Sequence, residues 1–216
     1  MTIVELRQYT LVPGGRDTLV ALFDAHLVES QEAEGMRIVG QFRDLGRSDR
    51  FVWVRTFPSM AARLAALTAF YGGPVWKEHR DAANATMVDV DDVLLMREIR
   101  PFADPAPRDA ETPAGGVIVA GLCPLARTDY ADHFDRAVRP HLGVTVLGTG
   151  QTIHEPNTFP ALPVREGEDV FVWFARLDSA DDLDAFAERV AGLDVEGLAG
   201  PVQVLRLAPT PRSALR

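Results

Sequence analysis

The chain of 216 residues contains a single cysteine, Cys123, so no internal disulfide framework exists. It also contains a single lysine, Lys77; every other basic residue is an arginine, and the arginines are scattered rather than clustered. The net charge of −9 argues against a nucleic-acid backbone as partner. No run approaches the ~20 apolar residues that cross a bilayer, and no basic amphipathic helix of the membrane-surface kind is present. The N-terminal MTIVELRQYTL carries charge within an alternating pattern, which predicts a first strand rather than a signal peptide, and a cytoplasmic location is expected. Neither GxGxxG nor GxxxxGK occurs, which removes dinucleotide and P-loop readings. HExxH and 2-His-1-carboxylate spacings are likewise missing, so no metal centre is expected.

What the chain does contain is a plan written twice. FVWVRTFPS (51–59) recurs as FVWFARLDS (171–179), and MRIVGQF (36–42) recurs as VTVLGTG (144–150), with TIHEPNTFPALPVREGED inserted in the second copy. Strand alternation over 2–11 ends at Pro13-Gly14-Gly15. Leu19, Leu22, Phe23, His26 and Leu27 then predict a helix over roughly 16–33, with His26 on its apolar stripe. Strands at 36–43 and 50–57, a helix from Pro58-Ser59 with Leu64 and Leu67 on one stripe, and a strand near 92–98 complete βαββαβ. The second copy repeats it, with strands at 117–123, 143–149, 169–177 and 202–208. Its helices lie at 129–141, behind Thr128, and at 180–191, behind Ser179. The expected fold is therefore α+β, two tandem ferredoxin-like units over 1–100 and 117–210 joined by a linker at 101–116. The open sheet faces cover one another within a chain or between two.

Alternate strand residues share a face. Val4, Leu6 and Gln8 with Val52, Val54 and Thr56 suit packing under helices. Glu5, Arg7 and Tyr9 with Phe51, Trp53, Arg55 and Phe57 would then turn into the shared interior. Two readings of that face stand: a pocket whose arginines hold an anionic or enolate-like ligand, or a structural ion-pair network. The second copy puts Ala175 where the first has Arg55, and its first strand, VIVAGLC, is uncharged. One site is expected, in the N-terminal copy, with the C-terminal copy as apolar wall. In FYGGPVWKEHRD (70–81), Gly-Gly-Pro interrupts the helix and gathers Tyr71, Trp76 and His79 around a loop. His79 is the general-base candidate on chemical type. His133, His141 and His154 form no triad. Cys123 reads as inert.

ELRQYTLVPG (5–14), GMRIVGQF (35–42), FVWVRTFPSMAAR (51–63) and FYGGPVW (70–76) together resemble the NIPSNAP family across the first copy. The second copy keeps only VFVWFARLDS. The resemblance implies a dimeric α/β barrel, formed by a homodimer or by pairing of the two repeats. It places the family's motif on Glu5, Leu6, Arg7, Tyr9, Gly14, Gly40, Trp53, Arg55, Phe57, Ser59, Arg63, Tyr71, Pro74 and Trp76. Relatives by fold include cofactor-free monooxygenases and haem enzymes. The leading expectation is a small-molecule enzyme, a cofactor-free oxygenase or isomerase on an aromatic or polyketide-like substrate. Arg7 and Arg55 would stabilise negative oxygen, Glu5 or His79 would move a proton, and Tyr9, Trp53, Tyr71 and Trp76 would hold substrate. No cofactor is expected, with haem left open. The alternative is a non-catalytic binding or interaction module.

Overall fold

Each strand presents two chemically different faces, and the fold uses both for burial. The computed structural model describes residues 1–102, 108, 116–193 and 196–216. Its strands are β1 (Ile3–Leu11), β2 (Arg37–Asp44), β3 (Arg50–Phe57), β4 (Met87–Arg100), β5 (Val117–Pro124), β6 (Val146–Thr152), β7 (Val170–Leu177) and β8 (Gln203–Pro209). They close one antiparallel barrel in the order β1-β3-β2-β8-β5-β7-β6-β4. The N-terminal half supplies β4-β1-β3-β2 and the C-terminal half β8-β5-β7-β6, joined through β2–β8 and β4–β6. The barrel thus closes within one chain and leaves none of these strands with an unpaired edge.

Helices cover the outside. In the N-terminal half, α1 (Gly15–Leu22), a π-helical turn (Phe23–Leu27) and α2 (Val28–Ala33) run in succession where one helix was expected. α3 (Met60–Gly72) starts at Ser59, whose Oγ accepts from the Ala62 N–H. The break expected across 70–81 shrinks to Gly73. Pro74 occupies the first turn of α4 (Pro74–Asn84), where its missing N–H costs nothing, so Tyr71 lies on α3 while Trp76 and His79 lie on α4, not on a loop. β4 begins well before the expected 92. The C-terminal half carries α5 (Tyr130–His133), a second π-helical turn (Phe134–Val138), α6 (Arg139–Leu142), a 3-10 turn (Ala180–Asp182) and α7 (Leu183–Ala191). Asp129 rather than Thr128 precedes α5, while Ser179 does cap its turn, accepting from the Asp181 N–H. Residues 103–107 and 109–115 of the expected linker fall outside the described residues.

The face assignment is the opposite of the expectation. Val4, Leu6, Val52 and Val54 join Leu94, Ile118, Val172, Phe174 and Leu207 in one apolar cluster spanning both halves, which fills the barrel interior. Tyr9, Phe51, Trp53 and Phe57 pack instead with Leu19, Phe23, Leu27, Leu67 and Phe70 beneath the helices. A closed eight-stranded interior is narrow and filled by side chains from both halves, and here they are apolar throughout, from Val4 and Val54 to Phe42 and Phe174. The charged side chains of β1 and β3 go where helices stand off the sheet.

The C-terminal segment completes the closure. β2 and β8 pair only over Phe42–Asp44, and beyond this ladder the Thr210 N–H donates to Gln41 O and the Leu215 N–H to Val39 O. Leu215 enters the interior cluster. Replacing Leu215 by alanine is expected to lower the urea midpoint and cost about 2 kcal/mol, measured by equilibrium denaturation. An unchanged midpoint would show the seam to be held by backbone hydrogen bonds alone.

Candidate functional site

Adjacent antiparallel strands place partners directly opposite one another, and here that brings Glu5 opposite Arg55, Arg7 opposite Trp53 and Tyr9 opposite Phe51. All these side chains rise from the sheet toward the helices. α3 adds one more: Arg63, Ala66, Leu67 and Phe70 form its buried stripe at helical spacing, while Leu64, expected on that stripe, is exposed. Arg63 therefore points down onto β1, a third guanidinium absent from the catalytic expectation. Its signal in the sequence was its register with Leu67 and Phe70.

Glu5 is the hub. Its Oε2 accepts from Arg55 Nε at 2.7 Å and Arg7 Nη1 at 3.0 Å, and its Oε1 accepts from Arg63 Nε at 2.6 Å. All four side chains are 0% exposed. Arg55 Nη1 donates to Gln31 Oε1 at 2.9 Å, and Arg7 Nε donates to the Tyr9 hydroxyl at 2.8 Å. Arg63 Nη1 donates to Asn157 Oδ1 and Thr158 Oγ1 at 3.0 and 3.2 Å. The Arg55 guanidinium lies over the Trp53 ring, 4.8 Å from its centroid. Burial by itself would raise the Glu5 pKa, but Arg55, Arg7 and Arg63 outweigh it and hold the carboxyl far below the usual range. Burial pushes the Tyr9 phenol up despite Arg7, so Tyr9 stays neutral. Guanidinium groups remain protonated in proteins. Three of them against one carboxylate leave two positive charges in excess, fully buried. Arg7 Nη2, Arg63 Nη2 and Trp53 Nε1 have no hydrogen-bond partner, and Arg55 Nη2 only approaches Glu5 Oε2 at 2.7 Å, outside hydrogen-bonding geometry.

Beside this cluster lies a cavity of about 30 Å³ lined by Tyr9, Leu19, Phe23, Leu27, Gln31, Trp53, Phe70, Tyr71, Trp76 and Met87. The four expected substrate-binding residues, Tyr9, Trp53, Tyr71 and Trp76, are thus together. Glu5, Arg7 and Arg55 are together as well, against the sheet. His79 is not with them: it stacks on His26 with ring centroids 4.0 Å apart, and His26 is exposed rather than in the core. Neither histidine lines the cavity beside the cluster. Among the described residues no group of three metal-ligating side chains occurs, and no helix is long and apolar enough to cross a membrane.

The C-terminal half shows what the same register does without charge. Val119 faces Ala175, Gly121 faces Trp173 and Cys123 faces Phe171. A side chain at Gly121 would overlap the Trp173 indole, which lies over the glycine where the N-terminal half carries Arg7. Burial pushes the Cys123 thiol up to about 12, which keeps it unreactive. This half does not wall the site, as expected, but roofs it. The connection between β6 and β7 reaches across to the N-terminal helices, where Asn157 and Thr158 meet Arg63 and Phe159 stacks on Tyr71 with centroids 5.8 Å apart.

Glu5→Gln is expected to destabilise the fold by about 3–5 kcal/mol at neutral pH, because it strands three buried cations. Since the native carboxyl titrates below its unfolded value, its stabilisation is complete above the ordinary carboxylate range and is lost as pH falls beneath it. The gap between wild type and Glu5→Gln should therefore narrow steadily as pH falls below about 5, read from urea midpoints taken from neutral pH downward. A gap constant with pH would show that Glu5 acts through packing alone.

Comparison with known proteins adds the following. Residues 4–97 match the NIPSNAP family model. No curated protein matches the chain. Among solved structures, a provisionally assigned monooxygenase from Lactobacillus acidophilus is 14% identical, covering 96% of this chain and 93% of its own, with a TM-score of 0.62. A provisionally assigned monooxygenase from Fusobacterium nucleatum is 8% identical, covering 96% and 92%, with a TM-score of 0.64. An anthrone oxidase-like protein is 13% identical, covering 97% and 91%, with a TM-score of 0.55. At these identities the likeness is one of fold. The family motif residues of the N-terminal half include the buried Glu5, Arg7, Arg55 and Arg63 of the cluster described above, and it is this N-terminal region, residues 4–97, that belongs to the NIPSNAP family.

Proposed function

We propose that the N-terminal half binds an anionic small molecule of aromatic size and acts on it as an enzyme of the cofactor-free oxygenase or isomerase type. The observation that carries this reading is the excess of two buried positive charges, with unpartnered guanidinium nitrogens, beside an aromatic-lined cavity. A buried cation without a counter-charge is costly, and an anionic oxygen placed against Arg7, Arg55 and Arg63 removes that cost. The same field lowers the energy of an enolate or phenolate, the species from which both isomerisation and direct reaction with dioxygen start. Tyr9, whose hydroxyl already accepts from Arg7, keeps its own proton for donation to that oxygen. Glu5, pinned by three cations, is too weak a base to move a proton and organises the arginines instead. No histidine lines the cavity, so a haem ligated by imidazole does not fit it. The architecture is read as two ferredoxin-like units in tandem, the single-chain counterpart of a dimeric α/β barrel, and structural neighbours named as monooxygenases and an anthrone oxidase-like protein accord with the enzyme reading.

The competing reading is a purely structural network, and the small cavity volume favours it. Thermal melts separate the two. With 2-naphthoate at about a hundredfold excess over its Kd, the melting temperature should rise by about 5–10 °C, whereas the uncharged 2-naphthalenemethanol should leave it unchanged. No rise with either compound would favour the structural reading, and an equal rise with both would show that the buried positive charge is not what binds the ligand.

A further inference from the structure

We propose that the tip of the β6–β7 connection, residues 155–163, is a lid over this site, and that an anionic ligand enters by displacing Asn157 and Thr158 from Arg63. The proposal rests on the anion-site reading above. It begins from a mismatch of size: a 30 Å³ cavity holds little more than a water molecule, so an aromatic ligand enters only if part of the wall moves. Residues 155–163 do not themselves line that cavity, but Phe159 stacks on Tyr71, which does, and Asn157 and Thr158 hold Arg63 of the charge cluster.

Both limbs of the connection are fastened to the barrel. The Ile153 N–H donates to Leu95 O and the Arg165 N–H to Val93 O, Arg165 pairs with Asp92 and Glu168, and Thr152 Oγ1 donates to Glu168 O. Between these anchors the tip holds its own shape. The Leu162 N–H donates to Phe159 O, Asn157 Nδ2 donates to Leu162 O, and the Phe159 N–H donates to Asn157 Oδ1. Among the described residues, the hydrogen bonds from this tip to the N-terminal half all end on Arg63; Phe159 adds the stack on Tyr71, and Leu162 packs with it on the apolar cluster beneath the helices. A self-bonded turn between two fixed anchors swings as a unit once those ties are released.

The ties are also the kind an anion replaces. Asn157 and Thr158 offer Arg63 neutral oxygens, and a carboxylate or phenolate forms the stronger, charge-assisted bond to the same nitrogen. A cleft of about 300 Å³ lies between the limbs, lined in part by Ile153, His154, Val164 and Arg165. Its floor is Leu95, which sits directly across the β1–β4 ladder from Glu5. The cleft therefore lies one strand away from the position that carries the hub of the charge cluster.

The test is stopped-flow tryptophan fluorescence with 2-naphthoate, comparing wild type with Thr158→Val/Phe159→Ala. That double variant removes the hydroxyl contact and the ring stack but leaves the Asn157 turn intact. Association should be about tenfold faster in the variant. Binding at the same or a lower rate in the variant overturns the lid while leaving the site in place. If neither protein binds 2-naphthoate, the site reading falls and the lid falls with it.

Discussion

One carboxylate, Glu5, accepts hydrogen bonds from three guanidinium groups in a region closed to solvent, and the N-terminal half is arranged around that fact. Each arginine arrives from a different place: Arg7 from the same strand, Arg55 from the neighbouring strand and Arg63 from α3. The hub therefore fixes the β1–β3 register and the height of α3 over the sheet at once. Hydrophobic burial drives the helices onto the sheet without choosing a rotation, whereas charge-assisted hydrogen bonds demand specific directions. The remaining donors reach Gln31 on α2 and Asn157 and Thr158 on the lid, so the network ties β1, β3, α2, α3 and the β6–β7 connection together.

The contrast between halves isolates what the charge does. Both keep the strand order, a tryptophan at the centre of the third strand and a π-helical turn at the same point of the first helical segment. Where Glu5, Arg7 and Arg55 are replaced by Val119, Gly121 and Ala175, the tryptophan folds onto the glycine and the space closes as an ordinary apolar core. The tryptophan is therefore framework, and in the N-terminal half guanidinium groups lie over its ring where the C-terminal half has a glycine.

The sequence made the element order, the doubling of the plan and the grouping of Glu5, Arg7, Tyr9, Trp53 and Arg55 on one face legible, because strand parity and repeats are local properties. It did not reveal which way that face turned. Parity separates two faces without labelling them, and the aliphatic set looked as fit for helices as for an interior. The deciding factor is the bore of a closed barrel, which depends on eight strands together. Arg63 was marked by its register with Leu67 and Phe70 and by the family motif, but its role needs α3 docked on β1. The helix surface placed His26 and His79 together for a reason no spacing discloses: the two come from different helices. Asn157 and Thr158 lay in an insertion whose destination, the other half of the molecule, is set by tertiary contact alone.

Barrel closure within a single chain has a genetic consequence. In an assembly of two identical subunits every substitution appears twice, so a costly buried charge cluster must be carried by both sites or by neither. Here the two halves are separate stretches of one coding sequence. One is free to keep three arginines on a single carboxylate, while the other supplies an inert core and lends its spare loop to its neighbour.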